Sequence, residues 1–403
     1  MRKICLAVIG LYLNLLHAQA QFYPVQKNTY ATRPLQLDEV HLVSSYYAQD
    51  GHHSAVTGGI GTEKGTDFSN GLELTWVGYD LDSVKKTLKT SLGVDYHTSA
   101  SQAFVSKSGA SKDWGTRIYP QVQWSVDNLR KGRSLDIGAY YSGEYSYHSL
   151  GLDAGYSQKN NTGGEYSLKL TAYYDRVKLI YPSELRPANV SVVTSASSSA
   201  GGSSIPSNPR FTLDGSFNFA QIANQRMQGS IATDLVLQAG DLGLPFHRVY
   251  FKDGLEAVEQ LPSVRLKLPI GFRLNYFAGD RIIIRSYYRF YIDSWGILAH
   301  TASLEIPFKI NPFFSIYPFY RYYTQNASRY FAPYGMHTEQ DAYYTSNYAL
   351  SGFQSQAFGA GLHLAFAKSL WGTGIHGLEA RYSHYQQTTG LHADVISLDL
   401  MFK

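Results

Sequence analysis

Hydrophobic and polar residues alternate with a period of two over unusually long runs in the last third of the chain. From 263 to 276 one parity carries Val264, Leu266, Leu268, Ile270, Phe272, Leu274 and Tyr276, and the other carries Ser263, Arg265, Lys267, Gly271, Arg273 and Asn275. After an Ala278-Gly279-Asp280 turn, Arg281, Arg285, Arg289 and Asp293 share one face, while Ile282, Ile284, Tyr288, Phe290 and Ile292 share the other. A third segment runs from His300 to Gln325 and contains Arg321. Period-two runs of roughly 11–14 residues exceed the ~5–6 residues of a common soluble strand and match a strand that crosses a bilayer.

The same pattern recurs along the chain, beginning near Leu37–Tyr47 and ending near 391–402, where Ile396, Leu398, Leu400 and Phe402 share one parity ahead of Lys403. About 16 strands result, so the expected fold is all-β: a transmembrane antiparallel β-barrel over residues 37–403. The links at Ala278–Asp280, Lys309–Pro312 and Ala367–Gly372 are short. The long ones, near 49–69, 98–115, 178–209, 239–262 and 326–354, then all fall at the opposite end, expected to face outside the cell. A soluble sandwich gives no reason for such one-sided loops.

Composition fits this picture. The 33 Tyr and 20 Phe suit the aromatic girdles of a barrel. No stretch beyond residue 20 approaches ~18 uninterrupted apolar residues. Arg2 and Lys3, an apolar run from Ile4 to Leu16 and Ala18-Gln19-Ala20 predict a signal peptide over 1–20, cleaved after Ala20. Residues 21–36 then form a periplasmic leader. The single cysteine, Cys5, leaves with the signal peptide, which removes thiol chemistry and disulfides. Losing Arg2 and Lys3 lowers the formal charge from +4 to +2 (33 basic against 31 acidic residues), and this near-balance gives no case for a nucleic-acid partner.

Several long strings resemble a known family. They are E-V-H-L-V-S-S-Y-Y-A-Q-D-G-H-H-S-A-V-T-G-G-I-G-T-E-K (39–64), P-F-H-R-V-Y-F (245–251), R-S-Y-Y-R-F-Y-I-D-S-W-G-I-L-A-H-T-A-S-L-E-I-P (285–307) and Y-F-A-P-Y-G-M-H-T (330–338). The family is domain of unknown function 3570, and the resemblance implies an outer-membrane barrel of Gram-negative bacteria with no attached activity. It further implies a transport or scaffold part in an envelope redox or small-molecule handling system, with outer-membrane lipid around it. A small lipoprotein or other envelope protein is the implied partner.

Candidate chemistry is sparse. Arg265, Lys267, Arg273, Arg281, Arg285, Arg289 and Arg321 form an expected lumenal ladder, because a charge facing lipid costs about 2–4 kcal/mol at mid-membrane. Such rows can select anions, or they can pair with Asp293, Glu305, Glu379 and Asp399; the paired network is the preferred reading, since these acids share the inward parity. Phe246, His247, Arg248, Tyr250 and Phe251 lie in a loop too apolar to stand in water, which is expected to fold inward or to bind a partner. The loop G-G-I-G-T-E-K-G-T (58–66) lacks the G-K-[ST] ending of a phosphate loop and is read as folding against the mouth. His41, His52, His53, His97, His247 and His337 lack metal-ligand spacing and are read as solvated. No metal site, cofactor or catalytic set is expected. A barrel enzyme acting on lipid or on an exported polypeptide is the alternative function, although no G-x-S-x-G nucleophile motif is present.

Overall fold

A computed structural model describes residues 32–80, 83–98, 115–185, 206–369 and 373–403. The expected signal peptide and all but the end of the leader lie outside the described residues. The leader itself ends sooner than expected. A strand already runs over Arg33–Asp50, with Gln36 and Leu37 paired to Val77 and Trp76 of the next strand. This edge is built on a small apolar cluster of Val40, Leu42 and Phe402, packed by Leu37, Leu72 and Leu400.

The sheet closes on itself as a 16-strand antiparallel barrel. Each strand pairs with its sequence neighbours, and Arg33–Asp50 pairs with both Gly65–Tyr79 and the last strand, His392–Phe402. One stave is interrupted: Leu298–Glu305 and Phe308–Asn311 both pair with Phe314–Gln325. The break falls at Ile306-Pro307, where proline has no N–H to give to the ladder. The turn expected at Lys309–Pro312 is therefore shifted, because Phe308–Asn311 continues the stave and the chain reverses at 312–313.

Alternation sets the two faces. Leu135, Ile137, Leu152, Leu168 and Leu170 are 54–60% exposed, each on the outer parity of its strand. Large apolar side chains that turn outward in this number are explained by lipid as the surrounding solvent. Aromatic residues stand in two bands on the same outer face. Cross-strand Tyr46–Phe68 and Tyr174–Phe211 lie toward the loop end, and Tyr166–Phe219 lies toward the turn end. The protein is thus an outer-membrane barrel, with backbone hydrogen bonds satisfied between strands and a lipid-facing belt between aromatic girdles. A barrel of this strand number is too wide for side chains to fill, so its lumen holds water or loops.

Candidate functional site

The strands Val264–Phe277, Ile283–Asp293, Leu298–Glu305 and Phe314–Gln325 form one wall of the lumen. Their register carries the expected ladder: Arg273 stands opposite Tyr287, Gly271 opposite Arg289, and Ser303 opposite Arg321. Arg281 sits apart, in the turn before Ile283–Asp293 at the rim. Two of the acids named from sequence pair with the ladder. Arg265 donates through Nε (3.0 Å) and Nη2 (2.5 Å) to the fully buried carboxylate of Asp293, and its guanidinium lies 4.2 Å from the Trp295 ring centre. Asp293 also accepts from the Trp295 and Ile297 amides, so this pair fixes the tight turn at 294–297.

Arg285 donates to Glu305 at 2.9 Å, and Arg381 reaches the same carboxylate at 3.5 Å. Phe314–Gln325 and Phe353–Ala365 stand between the strands of Arg381 and Glu305, so this second pair bridges over two strands on the lumenal side. Arg381 was not singled out from sequence, although its parity in Ile375–Gln387 points inward. The other two acids have different partners. Glu379 accepts from the Tyr317 hydroxyl, and Asp399 lies 3.2 Å from the His41 ring.

Among the described residues, Lys267, Arg273, Arg289 and Arg321 form no ion pair with an acid. Arg273 lies over Tyr287, 5.6 Å from its centre, and the buried Nε of Arg289 has no hydrogen-bond partner. The adjoining strands have the opposite sign. Asp127, Asp136, Asp153, Asp175, Asp214 and Asp234 share the inward parity of strands between Gly115 and Gly240. Among the described residues, only Asp153 of these forms an ion pair, with Lys169 at 2.8 Å. The alternation that exposes Leu135, Leu152 and Leu170 to lipid places these acids inside, and this was readable in the sequence.

At the loop end, segments from distant strands interlock across the mouth. The loop after Met227–Gly240 carries a short hairpin, Arg248–Tyr250 against Glu256–Val258. Arg248 is only 2% exposed; it donates from Nη1 to the Val56 carbonyl (2.8 Å) and from Nε to Glu184 (2.5 Å). Val56 belongs to the loop between the first two strands, which leaves the sheet half a circuit from the loop of Arg248. Their contact therefore crosses the mouth.

The 326–352 loop completes this cap. Gln260 and Tyr344 exchange two backbone hydrogen bonds, and Phe251 packs on Tyr344 with ring centres 5.0 Å apart. Tyr250 lies against Tyr334 at 4.8 Å, and the Phe246 ring meets His247 edge-on at 5.0 Å. The glycine-rich string serves close approach. Gly58 and Gly59 hold φ of 78° and 85°, and a Cβ there would fall 2.5 Å from the Tyr250 ring and 2.6 Å from the Ser346 carbonyl oxygen. His53 stacks on Tyr348 at 3.8 Å.

The histidines of the cap depart from expectation. His247 and His337 are 6% and 4% exposed, not solvated, because the loops bury them against each other. Glu259 is also buried and accepts from the Thr345 hydroxyl (2.5 Å) and the Leu244 amide (2.9 Å), with His247 at 3.4 Å. Burial pushes its carboxyl up, but the His247 ring, the hydroxyl and the amide outweigh burial and hold it below the ordinary carboxylate range. No group of three His, Cys, Asp or Glu among the described residues is arranged to hold a metal ion.

Comparison with known proteins gives a family and distant structural likenesses. The profile described as "Protein of unknown function (DUF3570)" matches residues 87–395. No curated protein matches. Among solved structures, OprD of Pseudomonas aeruginosa is 8% identical, with a TM-score of 0.43 over 92% of this chain and 94% of that one. OpdQ of the same organism is 9% identical, with a TM-score of 0.39 over 91% and 98%. A TodX mutant, titled a monoaromatic hydrocarbon channel, is 10% identical, with a TM-score of 0.38 over 93% and 91%.

Proposed function

This chain belongs to the DUF3570 family, and from that premise we propose that the barrel is a selective passage for small solutes across the outer membrane, its long loops facing outward. The observation that carries the reading is the group of lumenal cations without acidic partners: Lys267, Arg273, Arg289 and Arg321. Unpaired charges of one sign on one wall attract counter-charged solutes, as charged rows do in pores. The acidic strands beside it repel the same solutes, so an anionic group is steered to the strands between Val264 and Gln325.

The experiment is reconstitution in a planar bilayer under a salt gradient. The wild type is expected to conduct with an anion preference, and Arg289→Glu with Arg321→Glu is expected to reduce or reverse that preference. If neither the wild type nor a variant lacking residues 326–352 conducts, the passage reading fails.

A scaffold role alongside a small lipoprotein is the second reading. It is favoured by apolar side chains left open on the cap: Leu255 is 56% exposed, Met336 54% and Tyr334 44%. Co-purification of a lipoprotein from native membranes, lost on Leu255→Asp with Met336→Asp, supports this reading, and its absence removes it.

A further inference from the structure

Away from the basic ladder, near the loop end, the wall between Gly115 and Gly240 holds a recess of about 450 Å³. Tyr119, Tyr140, Tyr173, Arg117, Asp175 and Arg210 are among its lining residues. Two of the rings rest on glycine. A Cβ on Gly93 would fall 2.0 Å from the Tyr119 ring, and one on Gly151 would fall 2.5 Å from the Tyr173 ring. Tyr173 thus has one face covered by backbone and the other turned to the recess, whereas the Tyr119 ring has Gly93 on one side and the Arg117 guanidinium 5.2 Å from its centre. The tips are held as well: Tyr119 donates to Asp95 at 2.7 Å, and Lys169 lies 3.5 Å from the Tyr140 hydroxyl.

The polar groups of the recess are incomplete. Asp175 is 4% exposed; the Tyr147 hydroxyl donates to its carboxylate, and among the described residues its Oδ1 has no hydrogen-bond partner. Arg210 stands directly across the sheet from Asp175, and its Nε donates to the Asp241 carbonyl at 2.9 Å. Its Nη2 is buried and has no hydrogen-bond partner among the described residues. Buried polar groups are ordinarily satisfied, so two such atoms in one recess point to a missing partner.

We propose that this recess binds a short neutral oligosaccharide. The C–H face of a pyranose packs on flat, open aromatic rings. Neighbouring sugar hydroxyls can donate to Asp175 and accept from Arg210 at once, and each hydroxyl has both capacities. A simple anion satisfies Arg210 and is repelled by Asp175, a simple cation does the reverse, and an apolar solute satisfies neither. The volume lies within the usual range of about 300–1,000 Å³ for ligand sites. This site is separate from the anion-steering wall proposed above, and it stands whether or not the lumen conducts, because binding is read without a current.

The test uses the full barrel in detergent micelles, titrated calorimetrically with maltotriose and with cellotriose. Glycine and benzoate serve as zwitterionic and aromatic-anion comparators. Saturable binding of at least one trisaccharide is expected, weakened about tenfold by Tyr173→Ala and by Asp175→Asn, in line with one lost charge-assisted hydrogen bond or stacking face. Tyr173→Phe keeps the ring face and is expected to retain binding. The heat-dependent gel mobility of folded barrels verifies that each variant is assembled. The proposal is overturned if neither trisaccharide binds, if glycine or benzoate binds more tightly at these residues, or if folded Tyr173→Ala binds as well as wild type.

Discussion

A methyl group at Gly93 would fall 2.0 Å from the Tyr119 ring, and one at Gly361 would fall 2.0 Å from the Tyr317 ring, whereas at Gly71 it would meet nothing within 4 Å. Gly93→Val and Gly361→Val are therefore expected to displace a lumenal tyrosine, at a cost of about 1–3 kcal/mol typical of overpacking. Gly71→Val is expected to be near neutral, and urea titration of the barrels refolded into vesicles compares the three. The sequence shows these glycines on the inward parity but not their partners, because a partner is set by register and register is a tertiary quantity. Glu259 supplies a prediction of another kind. Its folded pKa is depressed, so its contribution to the cap is present above the unfolded value of about 4.3 and is lost as pH falls through the lower folded value. Proteolysis of the 241–263 loop is expected to accelerate below about pH 4. Glu259→Gln should make the loop susceptible at neutral pH; equal susceptibility of variant and wild type there would count against this role.

At the scale of single strands, the outer parity is the most strictly constrained feature. Leu152 is 58% exposed at the middle of Tyr147–Lys159. Leu152→Arg is expected to cost about 2–4 kcal/mol, as measured by vesicle refolding, because the charge lies in hydrocarbon. An arginine at lumenal Ser149 of the same strand should cost much less. Strands of this kind were legible because the dyad pattern repeats over 11 or more residues, as in Arg133–Gly143. The interrupted stave departs from the expected pattern. Phe308–Asn311 reads as a turn from Lys309-Ile310-Asn311-Pro312, and pairing with Phe314–Gln325 on one side and with Arg281-Ile282 on the other holds it extended. The start at Arg33 has no such signal, since Arg33-Pro34 carries no alternation and is held by Gly65–Tyr79 beside it.

At the scale of the whole molecule, two neighbouring lumenal sectors of opposite sign and a cap define the protein. The basic wall was visible in the sequence as a ladder, but its division into paired Arg265 and Arg285 and unpaired Arg289 and Arg321 depends on which strands face each other. The cap was only partly legible. The apolar loop around Arg248 announced burial, but its contact with Val56 joins residues 192 positions apart and has no local signal. Arg248→Met is expected to loosen the cap by about 2–3 kcal/mol, the loss of hydrogen bonds made by a charged group. The barrel itself should persist, and hydrogen exchange in the 51–64 and 241–263 loops checks both outcomes. The link between Arg248 and Val56 also bears on the order of events in biogenesis. In an unclosed sheet the two loops sit far apart along the row of strands, and only the meeting of Arg33–Asp50 with His392–Phe402 curves them into reach. The cap is consequently the last part of the protein that can form, and the moment at which the 241–263 loop becomes protease-resistant marks the sealing of the seam in a newly inserted chain.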